Sequence, residues 1–439
     1  MESPPGSARS SPEAEVGMRV EDLWDLQEPQ LTPTEKLNSC FCTIPVSSFP
    51  PAPSSQVVEI PSDSTLADVV ETLSKNRILS APVRNVEASD DASWIDRYIG
   101  VVEFAGIAVW LLHQLEVVAR ETTTDSAAKK EVGADELAAK LGTVTLENKE
   151  AKMEGATFAD EEAKHVVKST PSEAASMGGS FLEALTSSEC YKNTKVRDIA
   201  GSFRWAPFLA LQSSDSFLTM LLLLSKYRMK SLPVVDLGEG KIENIITQSA
   251  VLHMLAECVG LHWFEDWGTK KLFELGLPIM KPNRLIKVSE DEPILNAFQQ
   301  MRRRGIGGVP VVDANRNKAI GSISIRDVQY LLTASEIYKD YRLITVKDFM
   351  MTVREHLENQ KDSAAPISMI TCRREETAKE IILRLDAAKQ QRIYVVNEEE
   401  ELEGVITLRD IISRLVHEPH GYFGDFFDGV FPLPENSRV

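Results

Sequence analysis

Residues 308–327 read GVPVVDANRNKAIGSISIRD, and residues 392–410 read RIYVVNEEEELEGVITLRD. Each stretch holds an apolar strand, a polar turn, a second short strand, and a Ser or Thr that is followed three residues later by Asp. Short strands rich in β-branched residues and bounded by turn residues are typical of hairpins. Apolar residues at helical spacing precede and follow each stretch. The sequence therefore predicts two copies of a strand–helix–strand–strand–helix unit.

The same order of elements occurs twice more towards the N-terminus. Residues 81–83 (APV) and 232–236 (LPVVD) correspond to the first apolar strand, and residues 100–102 (GVV) and 245–247 (IIT) to the second. Self-similarity of this kind is the sequence signature of a repeat architecture. We therefore predict four α/β repeats in one chain.

The first two repeats are separated by a long segment of different composition. Residues 119–180 are rich in Ala, Glu, Lys and Thr and poor in large apolar side chains. Such a composition buries too little apolar area to offset the entropy of ordering, so we predict a flexible insertion. The complete predicted division is as follows: a disordered N-terminus (1–17), an N-terminal arm (18–39), repeat 1 (40–118), the insertion (119–180), repeat 2 (181–263), a connector (264–279), repeat 3 (280–336), repeat 4 (337–418) and a C-terminal tail (419–439).

Composition and charge exclude several classes of function. The 439 residues carry a formal charge of −18, which argues against nucleic acid or an anionic membrane as the main partner. Five widely spread cysteines without a CxxC pair favour reduced thiols and a cytoplasmic location, with the nucleus as a second compartment. No phosphate loop, kinase motif set or nucleophile elbow is present, and residues 417–420 (HEPH) are one residue short of a zinc-protease motif. We expect neither a metal site nor an enzyme.

The strand motifs APV and LPVVD, together with the element GVIT-x-x-D, resemble the module named after cystathionine beta-synthase, the CBS module. Four copies without a catalytic domain resemble the gamma subunit of the AMP-activated and sucrose-non-fermenting kinases. Residues 17–37, 187–199, 203–212 and 418–439 resemble the flanking segments of the plant version.

This resemblance implies an α/β (α+β) fold in which four CBS modules form two pseudo-twofold Bateman pairs that face each other. It implies a non-catalytic subunit of a heterotrimeric Ser/Thr kinase in energy and carbohydrate signalling, with a catalytic alpha-type and a beta-type subunit as partners. No cofactor is expected beyond an adenine nucleotide (AMP, ADP or ATP) as regulatory ligand. The alternative is a stand-alone CBS-domain adaptor or scaffold without a stable kinase partner.

In the family, the Asp of the T/S-x-x-D element holds the ribose, and cations near the PVVD strand hold the phosphates. Asp327 and Asp410 keep that acid, whereas Gly106 and Ala250 replace it in repeats 1 and 2. Weak binding at one or two sites is therefore expected. The candidate nucleotide-binding residues are Asp327, Asp410, Arg392, Thr407, Ser324, Arg326, Arg409, Thr247 and Lys230.

Several of these patterns also have a purely structural interpretation. The spacing Ser/Thr-x-x-Asp is that of a helix capping box, and capping and ribose binding can coexist. Residues 302–304 (RRR) are either a phosphate clamp or cations that complement a helix C-terminus, and we favour the second. Lys230 is left open between a phosphate contact and a solvated cation. The tail aromatics are either a partner-docking stripe, which we favour, or fold back onto the repeats: Tyr422, Phe423, Phe426, Phe427 and Phe431, with Trp24 as a further docking candidate.

Overall fold

The structure is a computed structural model that describes residues 32–51, 57–76, 78–89, 91–104, 106–107, 110, 192–199, 208–280, 282–313, 318–333, 344–359 and 369–428. The predictions made for the disordered N-terminus (1–17), the insertion (119–180), Trp24 and Phe431 lie outside the described residues.

Four sheets of three strands each carry the fold, one sheet to a repeat. In every sheet a two-residue first strand runs parallel to the middle strand, and the third strand pairs with the middle one in antiparallel fashion. The strands are, by repeat, β1 (Ile60–Pro61), β2 (Ser80–Arg84) and β3 (Tyr98–Glu103); β4 (Leu211–Gln212), β5 (Ser231–Asp236) and β6 (Lys241–Thr247); β7 (Val288–Ser289), β8 (Gly308–Val312) and β9 (Ala319–Ser324); β10 (Thr371–Cys372), β11 (Arg392–Val396) and β12 (Leu402–Thr407). The predicted order of elements is confirmed.

The helices begin where the sequence offers a cap. Thr65, Thr377 and Thr407 each accept a hydrogen bond from the backbone N–H three residues on, and an acid at that position bonds back to the Thr N–H. The α-helices are α1 (Pro33–Thr43), α2 (Leu66–Lys75), α3 (Trp94–Arg97), α4 (Val196–Ile199), α5 (Phe217–Ser225), α6 (Gln248–Glu257), α7 (His262–Gly268), α8 (Ile294–Arg304), α9 (Val328–Thr333), α10 (Val346–Asn359), α11 (Ala378–Ala387) and α12 (Leu408–Leu415). Residues 302–304 fall in the last turn of α8, the position that the structural interpretation expected.

Repeats that are neighbours in the sequence contact each other through their sheets and form two pairs. The helices then connect a repeat of one pair with a repeat of the other. One apolar cluster joins the sheets of repeats 1 and 2, and another joins those of repeats 3 and 4. The helices build two larger cores, the first from repeats 1 and 3 and the second from repeats 2 and 4. The prediction of two pairs that face each other is thereby confirmed. The pair clusters contain Tyr98, Val235 and Ile242 in the first case and Val312, Tyr394, Val396 and Leu402 in the second.

Within each pair, the segment that leads into one repeat docks on the other repeat. Residues before β10, including α10, pack with Phe298 in the core of repeats 1 and 3, and Phe349 meets Phe298 edge to face with ring centroids 5.8 Å apart. Every repeat thus both receives such a segment from its partner and donates one to it. The reciprocal β-bridges are Pro45 with Ser216, Thr65 with Lys195, Lys271 with Thr377, and Pro293 with Thr345.

The C-terminal tail folds back onto repeat 2. Phe423 and Phe427 are buried and lie 4.9 and 4.8 Å, between ring centroids, from Tyr227. The Tyr422 hydroxyl lies 3.0 Å from Ser216 Oγ. The preferred interpretation of these aromatics as a docking stripe is therefore wrong for Tyr422, Phe423 and Phe427. Their burial follows from the apolar surface of α5, all nine residues of which are buried.

Within the described ranges, no helix combines the length and the apolar character that a bilayer crossing requires.

Candidate functional site

Asp327 lies directly after the last strand of repeat 3, where β9 passes through a short 3-10 helix (Ile325–Asp327) into α9. Its Oδ2 accepts a hydrogen bond of 2.7 Å from the Ser324 backbone N–H. The Ser324 side chain in turn accepts from the backbone N–H of Asp327, which completes a capping box. The capping role is thus realised at this position, and it fixes the orientation of the carboxylate.

Arg392 belongs to repeat 4 but places its guanidinium against repeat 3. It begins β11 opposite Thr407, and its terminal nitrogens lie over Gly307 and Gly308 at the start of β8. A Cβ built at Gly308 would overlap the guanidinium, so only glycine leaves room for this arginine. Gly308 is also the β-partner of Ser324. Arg392 therefore connects the Ser/Thr-x-x-Asp elements of repeats 3 and 4.

The electrostatics show that these groups act on each other. Burial raises the pKa of the Asp327 carboxyl, although the hydrogen bonds from Ser324 and the charges of Arg392 and Arg326 oppose the rise. Burial and then the neighbouring charge of Arg392 lower the pKa of Arg326 to about 10, against the opposing effects of Glu103 and Asp327. Two arginines and a carboxylate thus share one partly buried site.

Tyr394 closes this site from the repeat 4 side. Its ring is 1% exposed, and burial raises the pKa of its hydroxyl, while Arg392 and Ser322 oppose that rise. The buried hydroxyl oxygen makes no hydrogen bond of good geometry within the described residues. The hydroxyl nonetheless lies close enough to Arg392 and Ser322 for both side chains to lower its pKa.

The corresponding element of repeat 4 is also a capping box. Thr407 Oγ1 donates to Asp410 Oδ2 at 2.7 Å, and the Thr407 N–H donates to the same oxygen at 2.9 Å. The other oxygen, Asp410 Oδ1, lies 3.9 Å from Arg409 Nη2. Asp410 is only 8% exposed, and its Oδ1 takes no part in the capping hydrogen bonds, which both go to Oδ2.

Repeats 1 and 2 differ at the equivalent positions. Thr247 Oγ1 accepts from the Ala250 N–H at 3.1 Å, so Thr247 caps α6 without a reciprocating acid. Lys230 Nζ donates to Glu103 Oε2 of repeat 1 at 2.8 Å. Lys230 thus forms an ion pair between repeats while 44% of its side chain stays exposed, and its role as a phosphate contact or a solvated cation stays a prediction.

Glu103 was not predicted from the sequence. The strand register shows what it replaces, since in each sheet the residue that begins the middle strand pairs with the residue that ends the third strand. These pairs are Ser80 with Glu103, Ser231 with Thr247, Gly308 with Ser324, and Arg392 with Thr407. Glu103 precedes Gly106 by three residues, so the comparison that places Gly106 in the Asp position also places Glu103 in the Ser/Thr position.

The structure therefore brings together five of the nine predicted residues: Ser324, Arg326, Asp327, Arg392 and Thr407. Lys230 pairs with Glu103 of repeat 1. Asp410 and Arg409 adjoin Thr407 on the repeat 4 side. Thr247 is described only as a helix cap. Among the described residues, no group of three or more His, Cys, Asp or Glu side chains could hold a metal ion.

Comparison with known proteins supports this view of the fold. The family model described as "CBS domain" matches residues 278–333 and 364–417, which are repeats 3 and 4. Repeats 1 and 2 share the strand order and register although that model does not match them. The chain is thus a protein of four CBS modules.

Three relatives place it more narrowly. The chain is similar to SNF1-related protein kinase regulatory subunit gamma-1 of Arabidopsis thaliana, with 60% identity over 98% of this chain and 95% of that protein. It is 40% identical to the gamma-1-like subunit of Arabidopsis thaliana over 89% of each chain. It is 26% identical to human 5'-AMP-activated protein kinase subunit gamma-3 over 51% of this chain and 42% of that protein.

The chain belongs to the family of SNF1-related protein kinase regulatory gamma subunits. Members of this family are regulatory and not catalytic, which confirms the expectation of a non-enzymatic protein.

Proposed function

We propose that this chain assembles with a catalytic alpha-type and a beta-type subunit into a heterotrimeric Ser/Thr kinase, and that it binds adenine nucleotides at no more than two sites. Support for the partners comes from the relatives, which are named as regulatory gamma subunits of kinases. Such a complex would reside in the cytoplasm, with the nucleus as a second compartment.

The observation that carries the nucleotide proposal is the position of Arg392 over Gly308, beside Asp327. In the proposed site, Asp327 accepts hydrogen bonds from the ribose hydroxyls through the oxygen that the cap leaves available. Arg392 and Arg326 hold the phosphate from two different repeats, and the Tyr394 hydroxyl lies at the edge of the same region. The equivalent acid Asp410, with Arg409, is the second candidate position.

The binding is proposed to be weak for a reason of magnitude. A charge-assisted hydrogen bond to a phosphate contributes roughly 1.5–3 kcal/mol, and a micromolar ligand is bound by about 8 kcal/mol in all. Repeats 1 and 2 lack the ribose acid, and their Lys230 already pairs with Glu103. Loss of two or three such contacts is enough to remove discrimination between mono-, di- and triphosphates.

A nucleotide bound between repeats 3 and 4 could regulate the kinase only to the extent that it binds two conformations of the complex with different affinity. With weak and unselective binding, the folded repeats act mainly as a scaffold. We therefore propose that the chain acts mainly by assembling the kinase complex, and that bound nucleotide shifts the balance between conformations of the complex only slightly.

Two measurements test these proposals separately. Affinity purification of the tagged chain from cells should recover a kinase catalytic subunit and a beta-type subunit in stoichiometric amounts, and recovery of the chain without a kinase would favour the stand-alone adaptor. Equilibrium dialysis of the purified chain with AMP, ADP and ATP should give no more than two sites with little selectivity. Tight and AMP-selective occupancy of three sites would contradict the proposed number and strength of sites.

A further inference from the structure

The Ser/Thr position of repeat 1 is occupied by an acid. Glu103 ends β3 opposite Ser80, as Ser324 ends β9 opposite Gly308 and Thr407 ends β12 opposite Arg392. A hydroxyl at this position caps the next helix in the other repeats, and a phosphate could approach it. A carboxylate brings a full negative charge to the same place.

This carboxylate is held by a cation from the neighbouring repeat. Lys230 Nζ lies 2.8 Å from Glu103 Oε2, which is the length of a charge-assisted hydrogen bond. Backbone hydrogen bonds show which residue of repeat 4 is equivalent to Lys230. The Gln248 N–H donates to the Lys230 carbonyl, and in repeat 4 the Leu408 N–H donates to the Gln391 carbonyl in the same way. Lys230 therefore occupies in repeat 2 the position that Gln391, the residue before Arg392, occupies in repeat 4.

The same carboxylate reaches a third repeat. Glu103 acts on the guanidinium of Arg326 in repeat 3 and favours its charged form, whereas Arg392 disfavours it. Glu103 is only 22% exposed at its side chain, so its charge is screened less than a surface charge would be. One carboxylate from repeat 1 therefore balances cations from repeats 2 and 3.

We propose that Glu103 is a built-in anion that takes the place of a phosphate between repeats 1, 2 and 3 and closes that side of the molecule to anionic ligands. A phosphate that approached Lys230 would meet the Glu103 carboxylate at hydrogen-bonding distance from the same ammonium. Like-charge repulsion and competition for one cation both oppose its binding. Glu103 would thereby limit the number of nucleotide sites, which rests on the proposed function. The ion pair of Glu103 with Lys230 opposes anions whether or not nucleotide binds at Asp327.

The test replaces Glu103 by the residue that two other repeats use. Glu103→Thr restores the hydroxyl and leaves the Lys230 and Arg326 charges without their carboxylate. Calorimetric titration of the full chain with inorganic pyrophosphate should show binding at least about tenfold tighter than that of the parent chain, which corresponds to ~1.4 kcal/mol. The gain should disappear in the double variant Glu103→Thr/Lys230→Met.

Glu87→Gln is the matched control, because Glu87 is also an ion-paired acid of repeat 1, at 2.9 Å from Arg197, but lies outside this cluster. It should leave pyrophosphate binding unchanged. If Glu103→Thr does not fold, as judged by its thermal unfolding, Glu103→Gln removes the charge with almost the same shape and is titrated in its place.

Three outcomes would overturn the inference: an affinity for pyrophosphate within about threefold of the parent, a gain that persists without Lys230, or an equal gain in Glu87→Gln. Titration of the parent chain with AMP tests the nucleotide site separately. A parent chain that binds no AMP, together with a Lys230-dependent gain of pyrophosphate binding in Glu103→Thr, would refute the nucleotide proposal and support the built-in anion.

Discussion

Gly308→Ala tests the contact on which the proposed site depends. The added Cβ would overlap the guanidinium of Arg392, and it would lie 2.9 Å from the backbone oxygen of Ile323. The arginine can move because it is flexible, but the strand oxygen cannot move far. Overpacking of this kind costs ~1–3 kcal/mol, and a small part is offset because alanine reduces the entropy of the unfolded chain by about 0.4–1 kcal/mol. We expect a net loss of about 1–2 kcal/mol in the free energy of unfolding.

A double-mutant cycle separates the two contacts. In an Arg392→Ala background the overlap with the side chain is gone and only the close approach to Ile323 remains, so Gly308→Ala should cost about 1 kcal/mol less there than in the parent. Gly307→Ala is the matched control, since its Cβ would lie 3.3 Å from the movable end of Arg392. It should change stability by less than about 0.5 kcal/mol.

Urea unfolding of the four proteins of the cycle, followed by circular dichroism, measures these differences. AMP binding by the same proteins gives a second readout, because an arginine displaced from Asp327 can no longer hold the phosphate. An identical cost of Gly308→Ala with and without Arg392 would refute the claim that the guanidinium lies over Gly308.

Three further predictions concern the tail, a helix end and a buried acid. Phe423→Ala removes a ring that is 8% exposed and stacks on Tyr227, so it should cost about 3 kcal/mol in urea unfolding, whereas Phe426→Ala, whose ring is 36% exposed, should cost less than about 1 kcal/mol. Gly305→Ala places a side chain at φ +62° in otherwise open space, and the strain should lower the thermal midpoint by an amount equivalent to about 1 kcal/mol. Burial raises the pKa of Asp327 above 3.8, so folding favours its protonated form and stability should fall as pH rises through the folded-state pKa. Asp327→Asn should therefore unfold at a higher temperature than the parent at neutral pH without nucleotide.

Each of these three has a clear contrary outcome. Equal stability of the Phe423→Ala variant and the parent would mean that the tail is detached in solution. A Gly305→Ala variant that is more stable than the parent would exclude the left-handed helix end. An Asp327→Asn variant that is less stable than the parent across the pH range would show that the charged carboxylate is favoured by its arginine neighbours after all.

Much of the fold could be predicted because each repeat carries its own local signals. The continuous apolar runs in residues 232–235 and 393–396 specify strands, and the capping residues specify where helices begin. The exchange of leading segments could not be predicted, because Lys195 and Thr345 bind across the pair through backbone hydrogen bonds that any sequence can make. The burial of Phe423 was also missed, since an aromatic run looks the same whether its partner is another protein or α5 of the same chain.

The acids Asp327 and Asp410 and the cations of the candidate site were predictable, whereas the acid Glu103 and the contact of Arg392 with repeat 3 were not. Asp327 and Asp410 follow directly from the repeat, because their spacing from Ser324 and Thr407 is local. Arg392 can contact repeat 3 because Gly308 has no side chain. A glycine in a strand does not indicate which distant residue will pack against it, so this contact could not be predicted from the sequence. Glu103 was missed because its ion pair with Lys230 joins two repeats that lie far apart in the sequence.

Whether two residues from different repeats bind one ligand is tested by calorimetric titration of AMP into the parent chain, Asp327→Asn, Arg392→Met and the double variant. We expect each single variant to weaken AMP binding by about tenfold or more, in line with one charge-assisted hydrogen bond of roughly 1.5–3 kcal/mol, and the double variant to be weakened by less than the product of the two. Unchanged AMP affinity in Asp327→Asn and Arg392→Met would contradict it.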